Sequence, residues 1–435
     1  MGFYEKYKDS GVEWIGEIPE GWKIRKMKYG VFVNPAKDNV DRDSTDLVTF
    51  LPMEKVGEDG TIDCSMKRSI ADLYSGFTFF RKHDVIVAKI TPCFENGKGA
   101  ILNNLETEIG FGSTEFHVLR AKQDIDSLFL YYITKSVTFM KVGEAFMSGA
   151  AGQKRVPSDF ITDFPLIAPS KPEQTAIANY LDRKTAEIDK LIAQKERLIE
   201  LYEEERTAII NQAVTKGIDP DARLKESGIE WLGEIPDGWE VSRLKKICSV
   251  RQGLQIPISE RNVIQVENSL PYITIKAINN PENTKEYIEN PSNNVICKKD
   301  DILVARTGAT SEIITDIEGV FHNNFFLVDY DRKQIIKSYL VNFLRSPRIK
   351  EYLLLVAGTT TIPDLNHNDF YNTPFLVLSV EEQTAIVHHI ETQTARINAK
   401  IAKTKKIIAL QKEYRTALIS EAVTGKIKVT EETTP

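Results

Sequence analysis

The sequence predicts an α/β (α+β) fold made as a tandem duplication. Two α/β domains are each followed by a long helix, and the two helices pair as an antiparallel coiled coil. Three observations predict this. A tryptophan-bearing segment near the start returns just past the middle of the 435 residues, and a long helical run in mid-chain returns at the far end. Between each segment and its helix, strand-like and helix-like stretches follow one another in the same order. The segment boundaries read from the sequence are 1–168, 169–217, 218–378 and 379–435.

The first segment reads SGVEWIGEIPEGWKIRKMK over residues 10–28, and its copy reads SGIEWLGEIPDGWEVSRLK over 227–245. The two pairs, Trp14 with Trp22 and Trp231 with Trp239, are expected to be packing anchors. In the first half, 84–89 reads as a strand followed by the loop 90–98; in the second, 301–306 is followed by 307–311. Apolar, β-rich runs come next at 113–119 and 323–328. One helix is then expected in each half, at 125–141 and 338–356. Small-residue loops follow at 148–155 and 358–363, then Asp159-Phe160 or Asp369-Phe370, and a short apolar strand at 164–168 or 374–378. The copies agree in their strand cores and differ in their loops.

The long helices begin with the same signal. Ser170 with Glu173, and Ser379 with Glu382, read as capping boxes. The string EQTAI then starts both helices, and RTAIINQAVT at 206–215 is mirrored by RTALISEAVT at 415–424. Ile177, Leu181, Ile188, Leu191, Leu198, Tyr202 and Ile209 recur at spacings of three, four and seven, which sets them on one stripe. Ile390, Ile397, Ile401, Ile408 and Leu418 do the same in the copy. Stripes this long need a partner, and each helix is the obvious one for the other. Gly217 is a suitable C-cap.

Hydrophobic residues make up 42% and charged residues 27%, the balance of an ordinary soluble protein. No run of apolar residues reaches membrane-spanning length, and the start lacks a signal peptide's apolar stretch, so a cytoplasmic protein is expected. Cys64, Cys93, Cys248 and Cys297 are isolated, with no zinc or disulfide spacing. The net charge of −6 argues on its face against nucleic acid. It is uneven, however: Lys400, Lys403, Lys405, Lys406, Lys412 and Arg415 make the last helix basic. Glu196, Glu200, Glu203, Glu204 and Glu205 make the middle one acidic, and solvated faces are expected for both.

Catalytic motifs are missing. Asn34-Pro-Ala and Asn280-Pro-Glu both fail the Asn/Asp-Pro-Pro-Tyr pattern of adenine methylation, and Gly97-Lys98 has no upstream glycine for a phosphate loop. Asp182-Arg-Lys184 and Asp331-Arg-Lys333 match only a fragment of a nuclease site. His388 and His389 are adjacent and cannot share one helix face as metal ligands do. An enzyme that acts on DNA alone is therefore disfavoured.

The doubled tryptophan segment, the doubled EQTAI helix and its Thr185-Ala-Glu-Ile188 unit resemble the specificity (S) subunit of type I restriction–modification systems. The resemblance spans essentially the whole chain; one departure is Thr394-Ala-Arg-Ile397 in the second helix. It implies a non-catalytic, cytoplasmic subunit that reads an asymmetric, bipartite double-stranded DNA target with two recognition domains held apart by a helical ruler. It also implies two methyltransferase subunits as partners, and motor–nuclease subunits in the full complex. S-adenosylmethionine, ATP and Mg would be bound only by those partners, leaving this chain without cofactor, metal or catalytic residues. A helical adaptor that joins two proteins without reading DNA is the alternative.

Base reading requires paired donors or acceptors on loops that enter the major groove. The divergent loops supply such residues. In the first half they are Lys89, Thr91, Asn96, Lys98, Gln153, Lys154 and Arg155. In the second they are Arg306, Thr307, Thr310, Ser311, Thr359, Thr360, Thr361, Asn366 and His367.

Overall fold

The computed structural model describes residues 2–150, 152–278, 286–358 and 363–429. The chain forms two compact units, Met1–Glu196 with Lys405–Pro435, and Arg197–Thr404. Their boundaries cut through both long helices, so each unit owns one end of each helix. Among the described residues no helix is long and apolar enough to cross a membrane.

In unit 1 one antiparallel sheet orders its strands Val31–Val33, Phe116–Ala121, Val85–Ala88, Gly99–Ile101. A second sheet orders them Lys67–Ser69, Leu47–Leu51, Ile109–Gly112, Thr78–Arg81, with a parallel pair at its centre. Unit 2 repeats both sheets. The first runs Cys248–Gln252, Phe325–Tyr330, Ile302–Ala305, Ile313–Ile314; the second runs Tyr287–Glu289, Ser269–Ile273, Gly319–Phe321, Ile296–Cys297. The continuous apolar runs Val85–Ala88 and Ile302–Ala305 are buried throughout, as strands covered on both faces must be.

The single helix expected in each half is two. Ser127–Lys135 and Val137–Ala145 break at Ser136, whose backbone is extended and whose hydroxyl accepts from the Phe139 N–H. Lys337–Arg345 and Pro347–Val356 break at Ser346, because a residue before proline avoids helical geometry.

The long helices span Lys171–Lys216 and Val380–Val423. Their stripes are buried at Ile177, Leu181, Ile188 and Ile192, and at Ile386, Ile390, Ile397, Ile401, Ile408 and Leu418. Leu191, Leu198, Tyr202 and Ile209 are only half-buried. In unit 1, Asp189 meets Arg415 at 3.0 Å and Glu196 meets Lys412 at 3.9 Å. In unit 2, Glu205 lies 4.0 Å from Lys400, and Arg206 donates to Asn398 at 3.2 Å. Partner numbers fall as helix numbers rise, so the pairing in each unit is antiparallel. Some of the acidic and basic faces expected to be solvated are therefore paired, although exposed pairs of this kind add little stability.

The doubled motifs have structural purposes. Glu173 and Glu382, read as capping-box residues, accept from indoles: Trp22 Nε1 at 3.2 Å and Trp239 Nε1 at 2.6 Å. Those two tryptophans are buried, whereas Trp14 is 41% exposed and packs on Phe164, and half-buried Trp231 stacks on Tyr352. The other end of each knot is a glycine. Gly425, at φ +72°, lies so close to Pro19 that a Cβ would sit 2.5 Å from its ring, and Gly217, at φ +76°, lies against Trp239. The buried glutamine of EQTAI is a latch. Gln174 Oε1 accepts from the Asp126 N–H, and its Nε2 donates to the carbonyls of Asp124 and Pro169. Gln383 makes the same three bonds to Ile336, Gln334 and Leu378.

Two outcomes follow. Gln174→Ala leaves a buried N–H and two carbonyls without partners and should destabilise unit 1 by about 1–3 kcal/mol. Denaturant unfolding checks this, and a loss too small to measure would contradict the latch. The second concerns His117. Its Nε2 lies 2.8 Å from the Val156 carbonyl and must donate, so its Nδ1 accepts from Asn34 Nδ2 at 3.1 Å. That neutral ring is favoured further because burial holds the imidazole below its ordinary value of 6.5. The stability it contributes is full above that value and is lost as pH falls through it toward the folded pKa. Protection factors in the strand Phe116–Ala121 should drop between pH 7.5 and 5.5, and less steeply in His117→Gln; equal slopes would remove His117 as the cause.

Candidate functional site

In unit 1 the strand Val85–Ala88 delivers Lys89 to the rim of its sheet. The Lys89 N–H donates to the Glu115 carbonyl at 2.9 Å, and its own carbonyl accepts from Val156 at 2.8 Å. Positions 89, 115 and 155 therefore converge. Arg155 turns its Nε and Nη2 onto the Glu115 carboxylate at 2.9–3.2 Å, while remaining 44% exposed itself. The Arg155 donors hold the Glu115 carboxyl below the usual range against the opposing effect of burial, with the Arg155 and Lys89 charges assisting.

The neighbouring loops are tied to this rim. Thr91 accepts from the Lys154 N–H at 3.1 Å, while its own N–H donates to the Lys154 carbonyl at 3.0 Å. That joins the loop 90–98 to the loop 148–155. Asn96 donates to Glu58 at 2.8 Å, and Lys98 donates to the Met53 carbonyl at 3.1 Å. Gln153 and Lys154 are exposed. Lys135 fixes the far side of the loop by donating to the carbonyls of Gly97 and Glu58 at 2.5 and 2.9 Å. Burial, and secondarily the Arg415 charge, push its amine down to about 7.

Unit 2 builds the same frame. Arg306, at the end of Ile302–Ala305, donates its N–H to the Asn324 carbonyl at 2.7 Å and accepts from Leu365 at 2.9 Å. Positions 306, 324 and 364 are thus the counterparts of 89, 115 and 155. Here the guanidinium comes from the first position and the carboxylate from the third: Arg306 Nε and Nη2 meet Asp364 at 2.9 and 2.7 Å. One frame carries Lys, Glu and Arg in one unit and Arg, Asn and Asp in the other.

Of the residues expected to read bases in unit 2, Thr310 and Ser311 do not face out, while Asn366 is exposed. Thr310 is buried, its Oγ1 lying 2.7 Å from the Pro363 carbonyl, and Ser311 is 1% exposed with φ +71°. Asn366 caps the helix His367–Asn372 by accepting from the Asp369 N–H. The half-buried His367 ring packs edge-on against Phe326, and burial, then the Arg306 charge, lower its pKa. Thr307 is half-buried at the rim. Thr359, Thr360 and Thr361 lie outside the described residues.

Sequence reasoning missed Glu115, Asn324, Asp364 and Lys135. A search for base donors passes over acids, and only the main-chain bonds of the frame bring the turn residue Glu115 and the loop residue Asp364 to the arginines. Among the described residues no group of three His, Cys, Asp or Glu could hold a metal ion. What the rim offers is guanidinium, ammonium and amide donors on loops anchored to rigid strands.

Comparison with known proteins fits this geometry. A family model for the type I restriction modification DNA specificity domain matches residues 20–201 and again residues 236–409. The EcoAI specificity subunit of Escherichia coli is 39% identical over 164 residues, 37% of this chain and 27% of that protein. The EcoEI specificity subunit of the same species is 33% identical over 181 residues, 41% of this chain and 30% of that protein. The match thus spans less than a third of either relative. The MjaIX specificity subunit of Methanocaldococcus jannaschii is 23% identical over 439 residues, 96% of each chain. Among solved structures, the HsdS subunit from Thermoanaerobacter tengcongensis shares the fold at TM-score 0.58 and 17% identity, over 94% of this chain and 98% of that one. A chain from a structure of type I R-M complex assembly does so at TM-score 0.74 and 17% identity, over 94% and 99%. With both halves matched, this chain belongs to the type I restriction modification DNA specificity family.

Proposed function

We propose that the chain is the non-catalytic DNA-reading subunit of a cytoplasmic type I restriction–modification complex. Each unit reads one half of a split, asymmetric target in double-stranded DNA, and the chain directs two methyltransferase subunits and the motor–nuclease subunits. The observation that carries this reading is the pair of rims: one main-chain frame, two different sets of charged side chains. A duplicated scaffold with divergent loops suits the reading of two different half-sites. S-adenosylmethionine, ATP and Mg belong to the partners. The net charge of −6 is compatible with DNA if those partners supply much of the phosphate clamp.

Expression with the methyltransferase subunits in a host lacking other adenine methylation tests this reading. Methylome sequencing should return a split motif with two unlike half-sites, and native mass of the complex should give two methyltransferase copies. A palindromic motif, or a one-to-one complex as the sole active species, would overturn the respective part.

The paired helices act in this reading as the ruler between half-sites. A second Thr-Ala-Glu-Ile unit inserted after Ile188 adds about 6 Å of helix. At about 3.4 Å per base pair, that is one to two base pairs of unread spacer. The half-sites should stay as they were while the spacer lengthens. A changed half-site with the old spacer would reject the ruler.

A further inference from the structure

We infer that Arg155 and Arg306 are the specificity-determining side chains of the two units, each reading a guanine and each aimed by a carboxylate, Glu115 or Asp364. The inference rests on the DNA-reading function proposed above and names the residues that perform it.

Three observations converge. The first is place: both arginines belong to the same rim frame, fixed in each unit by two main-chain hydrogen bonds, Lys89 to Glu115 and Val156 to Lys89, or Arg306 to Asn324 and Leu365 to Arg306. The second is orientation. In both, the carboxylate holds the edge made by Nε and Nη2. Nη1 is left less engaged; in Arg155 its partner is the Gln153 carbonyl at a long 3.4 Å. A guanidinium gripped along one edge presents its outer donors in a fixed plane, and guanine offers two acceptors, O6 and N7, at matching spacing in the major groove. The third is charge. Each arginine is already paired with an anion, so its net pull on a phosphate is reduced, whereas its donors remain directional. That favours a base edge over the backbone.

The competing account is that the pairs only fasten loops. Both pairs are bidentate and do add a tie, but the loops are already fastened without them: Thr91 with Lys154, and Leu365 with Arg306. The swap of guanidinium and carboxylate between the first and third positions also suits recognition better than fastening. It would set the guanine contact at a different place in each half-site while the frame stays the same.

The test uses the full chain with its methyltransferase subunits. In Arg155→Ala, discrimination for guanine at one position of one half-site should fall about ten- to hundredfold. The other half-site and the spacer should not change; Arg306→Ala should do the same in the other half. Should a variant fail to fold, Arg155→Lys and Arg306→Lys keep the charge but lose the fork, and are expected to relax the same guanines. Binding to DNA carrying 7-deazaguanine, which lacks the N7 acceptor, should weaken for the wild type at those positions and not weaken further for the variants. An unchanged motif in the variants, uniformly weaker methylation of an unchanged motif, or equal losses with 7-deazaguanine in wild type and variants would each overturn the inference. Absence of any split motif in the wild type would instead overturn the DNA-reading function.

Discussion

Each unit is closed by one knot, an indole that touches the start of one long helix and the end of the other. Trp22 donates to Glu173 while Gly425 lies against its ring; Trp239 does the same with Glu382 and Gly217. Most of the stability of helices in a folded protein comes from packing of an amphipathic face, and here that face is the apolar stripe. The knots and the glutamine latches pin the ends at which those stripes pass into the α/β cores. The strands that carry the rims are positioned from there.

Much of this architecture was legible in the sequence because both copies keep the same partners. The EQTAI string survives twice because its glutamine has three backbone groups to satisfy in each unit. The second tryptophan of each segment is buried in both copies. The break at Ser346 was readable from Pro347, but Ser136 has no such signal, since serine can also sit within a helix. The rim was only half legible. Lys89 and Arg306 align by simple inspection of the strands that precede them. Whether Thr310 and Ser311 face out depends on a tight turn beneath Pro363, which no local pattern reveals. The acids that hold the arginines come from a turn and a loop distant in sequence, and the folded frame rather than a motif brings them there.

The copies have also drifted within their scaffold. In unit 1 the Val137 N–H donates to the Ser420 hydroxyl at 2.9 Å. The matching helix start in unit 2 is Pro347, which has no N–H to give, and Asn211 stands where serine would be. Asn211 and Pro347 line one cleft, and the Asn211 Oδ1 is buried without a partner among the described residues. Such losses are tolerated where packing already fixes the helix. They mark the limit of treating one half as a template for the other.

The division of the helices between the units has a consequence for synthesis. Unit 2 is one continuous stretch, Arg197–Thr404, whereas unit 1 needs Met1–Glu196 together with Lys405–Pro435. The late stretch includes Arg415, which pairs with Asp189, Ser420, which caps Val137, and Gly425, which closes on Trp22. A ribosome therefore completes the second unit before the first, reversing the usual order of folding from the N-terminus. At a translation rate of about 5–20 residues per second, the first half waits roughly 10–40 s with its helix stripe uncovered. Over that interval the first unit has its sheets but lacks the helix partner that Lys405–Pro435 supplies.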